Sequence, residues 1–260
     1  MPVRLTILGS GSSGNSALLE TDDTRVLVDA GFSVRQLRQR LAGIGRAPET
    51  LSAILITHEH VDHIQGLAGM ADRLGIPLYC NRPTKDALVD ITSLQFNWHL
   101  FATGASFAVG DMSVDTFSIP HDAQEPVGYL LRTAAGNVGF LTDLGHATKL
   151  VLERVRPANV LVLETNHDVK MLQDDPRRPW SLKQRILGRN GHLSNEAAAD
   201  CAQEIMSAGL RRLYLSHLSR QCNKPELAHR VITERLQKIG ATHCQAELTS
   251  QSVPCPSLTL

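Results

Sequence analysis

The residues best suited to chemistry stand in one short segment, Thr57-His58-Glu59-His60-Val61-Asp62-His63. His58, His60 and Asp62 alternate, so their side chains would point the same way in an extended segment, and His63 follows where a helix would begin. Imidazole nitrogens and carboxylate oxygens suit zinc, manganese or iron. We interpret this segment as half of a metal site rather than as a chance grouping of histidines on a solvated loop.

Three further candidate ligands follow predicted strands. His121 comes after the β pattern Val114–Ile119, and Asp143 and His217 each follow a short apolar run. A lone polar residue at a strand end is more often a cap or a turn former. Together with the histidine segment, however, these positions supply five histidines and two aspartates, which are enough ligands for two metal ions.

A basic stretch precedes His192 and has no acidic residue between Asp175 and Glu196. Such a run is either a solvated face or a track for substrate phosphates, and we retain Arg178, Lys183, Arg185 and Arg189 as candidate substrate-binding residues. Trp180 lies within the run and could stack on a base, but we expect it to be a buried anchor. His167 is a reserve candidate without an assigned role.

The elements that must position these residues are short strands interspersed with helices. Val3, Leu5 and Ile7 alternate with polar residues, which predicts a strand with one buried face, and Ser33 is a good helix N-cap. No linker or repeat interrupts the chain, so we predict one domain over residues 1–260 with two packed sheets. The other predicted helices cover residues 64–74, 84–92, 181–188, 194–207 and 225–238, and strands cover 25–29, 51–56, 77–80, 160–163 and 212–216.

The loop from Gly9 to Gly14 matches the G-x-G-x-x-G pattern of dinucleotide-binding folds. That pattern must open a helix, but only six residues separate Gly14 from the turn that begins at Thr21. We therefore expect a β-hairpin and no dinucleotide cofactor. The loop is either a plain turn or a border of the active site whose backbone N–H groups could meet an anion.

The composition excludes several classes of protein. The 260 residues carry 26 basic and 26 acidic side chains, so a strongly basic nucleic-acid coat is excluded, although a local basic strip is not. Five scattered cysteines fit no disulfide framework and favour a reducing compartment. No signal segment opens the chain and no apolar run approaches the ~18 residues of a membrane span, so we expect a cytoplasmic protein.

Over nearly its whole length the chain resembles the metallo-β-lactamase superfamily, on the H-x-H-x-D-H segment and the three strand-end ligands. The resemblance implies an α/β fold, an αββα sandwich of two mixed β-sheets flanked by helices, with the metal site at one edge. It also implies the ligand sets, which are His58, His60 and His121 for one metal, Asp62, His63 and His217 for the other, and Asp143 as the bridge.

Within that superfamily the details resemble phosphodiesterases such as tRNase Z, and most of all the bacterial WalJ/YycJ-type group, which is exonuclease-like. Gly9–Ser16 and Gly191–Asn195 carry the latter resemblance. The long arm that grips tRNA has no counterpart, and Leu163 stands where tRNase Z has a histidine. The resemblance makes His192 a general acid or a phosphate ligand, and Glu164 the residue that orients it.

The sequence thus predicts a dinuclear metal-dependent hydrolase, a phosphodiesterase or nuclease acting on single-stranded DNA or RNA through a hydroxide held between two metals. Zinc is the expected metal, with manganese or iron as alternatives, and Asp62 would orient the hydroxide. Two alternatives remain open at this point. One is hydrolysis of a small thioester, lactone or cyclic nucleotide, and the other is a non-catalytic metal-binding regulatory module.

Overall fold

Two β-sheets packed face to face form the centre of the protein in this computed structural model, which describes residues 2–91 and 95–260. Within these residues the first sheet has seven strands in the order β14-β1-β2-β3-β4-β5-β6. Their bounds are β1 Arg4–Gly9, β2 Ser16–Glu20, β3 Arg25–Val28, β4 Ala53–Leu55, β5 Leu78–Asn81, β6 Trp98–Phe101 and β14 Leu258–Thr259.

The second sheet also has seven strands within the described ranges, in the order β13-β12-β11-β10-β9-β8-β7. Their bounds are β7 Ser106–Val109, β8 Met112–Ser118, β9 Val127–Thr133, β10 Gly136–Leu141, β11 Val160–Glu164, β12 Arg212–Ser216 and β13 Gln245–Leu248. The helices are α1 Val34–Gly43, α2 Val61–Ile64, α3 Arg82–Ile91, α4 Lys149–Val155, α5 Val169–Asp174, α6 Trp180–Leu187, α7 Asn195–Ile205 and α8 Pro225–Lys238, with a 3₁₀ turn at Pro48–Thr50 and a π-helical turn at Ala68–Asp72.

Each sheet is mixed, as expected from the resemblance. In the first sheet β1, β2 and β3 pair antiparallel, and β3 to β6 run parallel. In the second sheet β7 to β10 pair antiparallel, and β10 to β13 run parallel. Strands β8, β10, β11 and β12 therefore point the same way, and their carboxyl ends meet at one edge.

The alternation of side chains along the strands builds three apolar layers. In β3, Val26 and Val28 pack between the sheets with Tyr129, while Leu27 faces the helices on the outer side. The outer layer of the first sheet includes Leu37 of α1, and that of the second includes residues of α4, α7 and α8. The α/β sandwich predicted from the sequence is confirmed.

The helix predicted from Ser33 is present, and Ser33 and Gln36 form a capping box at its start. The prediction of one helix over residues 64–74 was wrong, because helical structure begins earlier at Val61 and is interrupted before the π-helical turn. Helix α3 covers most of the predicted 84–92 segment, whose last residue, Thr92, lies outside the described residues. The sequence reading missed α4, α5, β6, β13 and β14.

The glycine-rich loop joins β1 to β2, which pair antiparallel, so the predicted hairpin is confirmed and no crossover helix follows Gly14. A parallel βαβ unit is what places a helix N-terminus against a pyrophosphate, and this part of the chain does not form one. Among the described residues, no helix combines the length and the apolar character needed to cross a membrane.

Candidate metal centre and active-site cleft

The strand ends bring the predicted metal ligands together. His58 follows β4 of the first sheet, and His121, Asp143 and His217 follow β8, β10 and β12 of the second. Backbone hydrogen bonds join the connecting loops, since Val127 N donates to Thr57 O at 3.0 Å and Gly145 N donates to Pro120 O at 2.8 Å. The two sheets therefore present their ligands across a single edge.

Three acidic or imidazole side chains of this region stand on left-handed backbone. Asp29, Asp143 and His217 have φ angles of 59°, 55° and 55°, and they are the only described non-glycine residues with positive φ. Such a conformation costs on the order of 1–3 kcal/mol at each position and persists only where its surroundings enforce it. The concentration of this strain at one edge marks the edge as a functional site.

Several histidines are held through one ring nitrogen, which leaves the other ring nitrogen available to bind a metal ion. His63 Nδ1 lies 2.8 Å from Asp29 Oδ2, and His58 Nδ1 lies 3.0 Å from Thr57 Oγ1. His121 Nδ1 bonds the Gly191 carbonyl at 3.0 Å. Metal-binding histidines are commonly oriented in this way, because an anchored Nδ1 fixes the tautomer and aims Nε2.

The potential ligand atoms form overlapping groups in which all atoms lie within 4.8 Å of one another. These groups are His58 with His60 and His121, Asp62 with His63 and His217, His58 with His63 and Asp143, and Asp143 with Glu164, His192 and His217. Asp143 Oδ2 lies 3.0 Å from His63 Nε2 of the second set, and Asp143 Oδ1 lies 3.7 Å from His121 Nε2 of the first. Asp143 thus contacts both sides of the cluster.

The donor set fits divalent metal ions. The His58 Nε2 atom is fully buried and has no hydrogen-bond partner among the described residues. A buried polar atom without a partner is costly, and its position within a group of imidazole and carboxylate donors supplies the reason for it. Nitrogen and oxygen donors at this spacing suit zinc, manganese or iron.

The charges of the cluster also prepare it for cations. Burial, reinforced by the neighbouring charge of His63, holds the pKa of His58 well below its ordinary value, so His58 is a neutral lone-pair donor. Burial alone would raise the pKa of Asp143, but His217 and His63 hold it well below its ordinary value. Burial would lower the pKa of His63, yet Asp29 and Asp143 raise it well above. Metal binding would displace such protons, which makes metal affinity dependent on pH.

Glu164 lies at the centre of a separate hydrogen-bond group. Its fully buried carboxylate contacts His192 Nδ1 at 2.7 Å and His217 Nδ1 at 2.8 Å through Oε1. Its Oε2 accepts the backbone N–H groups of Leu144 and Leu193 at 2.8 and 3.1 Å. Burial would raise the pKa of Glu164, but the charge of His192 and the hydrogen bonds from the two histidines lower it to about 2.

His192 pairs with Glu164 and is partly exposed, with 22% of its side-chain surface accessible. Burial would lower its pKa, but Glu164 and then Asp143 raise it above the ordinary value of 6.5. An imidazolium ion is therefore favoured beside the ligand cluster. Because Nδ1 bonds Glu164, the other ring nitrogen is the one that can meet a substrate.

A cleft of about 260 Å³ opens beside the ligand cluster, and His60, Asp62, Asp143, His192 and His217 form one side of it. Helices α5 and α6 also line the cleft, through Leu172, Leu182 and Ile186. A concave site lined by both apolar side chains and convergent polar groups is typical of small-ligand and active sites.

The structure divides the predicted basic residues into two groups. Arg178 and Arg185 line the cleft, where Arg185 pairs with Asp122 and Arg178 contacts Gln221. Lys183 is buried, and its Nζ donates to the Gln173 carbonyl at 2.6 Å. Arg189 is exposed beside His146 and does not line the cleft. The cleft thus receives two of the four candidate substrate-binding residues.

The structure also shows the surroundings of Trp180 and of the reserve candidate His167. The expectation that Trp180 is a buried anchor was wrong, because Trp180 at the start of α6 is 60% exposed. His167 lines the cleft but is 1% exposed, and burial lowers its pKa to about 4. Neither of its ring nitrogens has a hydrogen-bond partner among the described residues.

The sequence reading missed the residues that hold the ligands in place. Asp29 contacts both Thr57 and His63, and it follows β3, so the strand-end rule that identified Asp143 could have found it. Asn15 Nδ2 donates to Asp62 Oδ2 at 3.2 Å, and Ser10 Oγ accepts the His217 N–H at 2.8 Å. The glycine-rich loop therefore borders the site and positions two ligands, through contacts between residues distant in sequence.

Gly31 permits the close approach of the segment after β3 to α2. A Cβ atom at this position would lie 1.6 Å from the carbonyl oxygen of Asp62, which no side chain could tolerate. Its neighbour Ala30 accepts the Gly66 N–H at 2.7 Å and donates to the His63 carbonyl at 2.8 Å. Glycine here fixes the position of Asp62 and His63 relative to β3.

The fold and the ligand cluster define a metal-dependent hydrolase class, and comparison with known proteins shows the family. Residues 24–218 match the β-lactamase superfamily domain, and the chain belongs to this family. The chain is 39% identical over 237 residues to Exodeoxyribonuclease WalJ of Streptococcus pneumoniae, covering 90% of this chain and 88% of that protein. It is 35% identical over 245 residues to Exodeoxyribonuclease YycJ of Bacillus anthracis, covering 92% and 91%. These matches confirm the resemblance to the WalJ/YycJ-type group.

A solved structure shares the fold. The metallo-β-lactamase fold protein YhfI from Bacillus subtilis superimposes with a TM-score of 0.73 at 18% identity, covering 100% of this chain and 99% of that one. At this identity the likeness supports the architecture alone.

Proposed function

We propose that this protein is a dinuclear metal-dependent phosphodiesterase that removes nucleotides from the ends of single-stranded DNA. The observation that carries the proposal is the Glu164 carboxylate, which hydrogen-bonds both the candidate ligand His217 and the cleft residue His192. A site that only binds metal does not require a partly exposed imidazolium ion such as His192 beside it. Cleavage of a phosphodiester does, because its leaving alkoxide needs a proton.

The metal ions would be held by two sets of residues that meet at Asp143. We assign His58, His60 and His121 to one set and Asp62, His63 and His217 to the other, in agreement with the grouping of their donor atoms. When bound, such metals neutralise phosphate charge and lower the pKa of a coordinated water. Zinc is the metal we propose, because affinity for nitrogen and oxygen donors favours it over manganese or iron.

The chain's own residues supply orientation and the proton. Asn15 holds one carboxylate oxygen of Asp62, so the Asp62 side chain is fixed where it can accept a hydrogen bond from the attacking water. Glu164 holds His192 in its charged form, and His192 gives its proton to the leaving oxygen. The backbone N–H groups of Leu144 and Leu193 hold the other carboxylate oxygen of Glu164 in place.

The choice of DNA rests on the two exodeoxyribonuclease relatives and on the arginines of the cleft. Arg178 and Arg185 line the same cleft as the ligand cluster, where they would contact phosphates next to the cleaved bond. A cleft of this size suits the end of one strand and not a duplex. Thioesters, lactones and cyclic nucleotides are the alternative substrates that the test must include.

The test is a comparison of substrates with zinc- or manganese-loaded protein. We expect stepwise shortening of 5′-labelled single-stranded DNA, slower cleavage of the duplex, and no turnover of a thioester. Asp143→Asn should abolish the activity, since Asp143 contacts both ligand sets, while the exposed His243→Ala should leave it unchanged. Efficient hydrolysis of a thioester, lactone or cyclic nucleotide without cleavage of DNA would contradict the proposal.

A further inference from the structure

The Trp180 indole is exposed to solvent, and its position in the fold does not explain this exposure. Trp180 is 60% exposed. Among the large hydrophobic residues that are exposed in the described part of the chain, it is the only aromatic residue. An indole presents a flat apolar face, and exposure of that face to water is unfavourable. Every nucleobase has a complementary face, so an exposed tryptophan is a suitable stacking partner for single-stranded nucleic acid.

Polar contacts tie the turn that carries Trp180 to the end of α5. The buried carboxylate of Asp175 accepts the Arg177 N–H at 3.0 Å and lies 3.4 Å from Arg178 Nε. Lys183 Nζ, one turn into α6, donates to the Gln173 carbonyl and ties α6 to the end of α5. These contacts hold the backbone that carries Trp180 in place, which reduces the entropy that this backbone would lose on association.

The surroundings of Trp180 are cationic. The Arg177 side chain is 67% exposed, and no acidic residue occurs between Pro176 and Asn195. The acidic residue nearest to Trp180 in the sequence, Asp175, is buried and bonded to Arg177 and Arg178. Positive charge beside an exposed aromatic face is the combination that recognises a single strand, whose phosphates and bases are both accessible.

The same turn is continuous with the cleft. Arg178 lines the cleft and is separated from Trp180 only by Pro179, the residue before α6. We propose that a strand whose terminal linkage lies at the ligand cluster leaves the cleft past Arg178, and that Trp180 stacks on one of its bases outside. This inference rests on the proposed function and adds a second contact that only a longer strand can reach.

The experiment compares Trp180→Ala with the unmodified protein on two substrates. One is a fluorescent oligothymidylate longer than about ten nucleotides, and the other is an aryl phosphodiester that ends at the cleft. We expect Trp180→Ala to raise the KM for the oligonucleotide about tenfold, with kcat and the aryl phosphodiester unaffected. Trp180→Tyr should restore most of the loss, because tyrosine also stacks.

Two controls separate stacking from other effects. Val253 is equally exposed, at 60%, and lines a different groove, so Val253→Ala should match the unmodified protein. The salt dependence of KM should keep its slope in Trp180→Ala, since stacking releases no counterions.

The inference fails if Trp180→Ala cleaves the long strand with an unchanged KM, or if it loses the aryl phosphodiester equally. It also fails if the variant changes the association state in sedimentation, since Trp180 would then contact a second copy. If the unmodified protein cleaves no oligonucleotide at all, the proposed function itself is wrong. These results are distinguishable from one another.

Discussion

Single hydrogen bonds and solvent exposure together decide what each imidazole of the site can do. Where Nδ1 is anchored by Asp29, Thr57 or a backbone carbonyl, the other nitrogen faces the ligand cluster. Where Nδ1 is anchored by Glu164 and the ring is partly exposed, as in His192, the residue is available to a substrate. The partner alone does not decide the role, because Glu164 also anchors Nδ1 of the buried ligand candidate His217, and it is exposure that sets His192 apart.

Removal of one ligand should remove metal. His60→Ala should lose about one metal equivalent and nearly all activity, because its imidazole belongs to a group of only three donors. Asp143→Ala should disturb both sites, since it contacts both ligand sets. Elemental analysis of the purified variants measures this, with His243→Ala as a control. Unchanged metal content in both variants would contradict the ligand assignment.

Replacement of His192 should distinguish the loss of a proton donor from the loss of metal. His192→Ala should fold, keep its metals and lose about 10²–10⁴-fold in turnover on a nucleotide linkage, the usual contribution of a positioned acid. An activated aryl phosphodiester, whose leaving group needs no proton, should be cleaved almost normally. Glu164→Gln should show a milder form of this difference, and because Glu164 also holds His217 it should in addition lower metal affinity. Equal losses on both substrates would make His192 a phosphate ligand instead.

At the scale of elements, α6 divides its basic residues between two tasks. Lys183 is buried and ties the helix to α5, whereas Arg185 lies on the wall of the cleft. Helical periodicity separates these two positions in direction although they stand close in sequence. A basic run read from sequence therefore contains both structural and substrate-facing residues.

A salt titration should distinguish the substrate-facing basic residues from the structural ones. Arg178→Gln should flatten the dependence of DNA affinity on salt by about one unit, because one phosphate contact and its counterion are lost. Lys183→Met should leave the slope unchanged and lower the free energy of unfolding by about 1–3 kcal/mol, because the Gln173 carbonyl loses a charged donor. Fluorescence anisotropy and urea unfolding measure the two effects. A slope near zero in the unmodified protein would exclude phosphate contacts in this region.

At the scale of the whole molecule, a buried charge cluster fixes the first sheet to the loop after α1. The Glu20 carboxylate in β2 contacts Arg4 of β1 at 3.0 Å, Arg25 of β3 at 3.6 Å and Arg46 at 2.6 Å. Burial would raise the pKa of Glu20, but Arg46 and then Arg4 lower it. The cluster lies away from the cleft, so it tests stability separately from activity.

Because the folded state lowers the pKa of Glu20, its contribution to stability is complete above its ordinary value of 4.5 and is lost as the pH falls through the lowered value. Glu20→Gln should therefore be less stable by about 1–3 kcal/mol at pH 7, and the difference should shrink in acid. Urea unfolding at pH 7 and at about pH 3 measures both. A difference that is independent of pH would show that the charge of Glu20 is not the cause.

The sequence by itself identified the candidate ligands, and its resemblance to the metallo-β-lactamase superfamily predicted the sandwich. The ligands could be identified because each follows an apolar run, and parallel strands deliver their carboxyl ends to the same edge wherever the sheet forms. The histidine segment needed no tertiary information, since its donors are neighbours in the chain. The two packed sheets were predicted from the order of short strands and helices along the chain, which local sequence patterns indicate.

Only the tertiary structure decided which residues hold the ligands and which surface the helices present. Asn15 contacts Asp62, which lies 47 positions away in the sequence, and Ser10 contacts His217, which lies 207 positions away. No local sequence pattern indicates these contacts. The exposure of Trp180 and the burial of Lys183 depend on how α6 packs against α5, which its short amphipathic sequence leaves undetermined. Contacts between residues distant in sequence arise from packing, and packing is fixed only when the whole chain is folded.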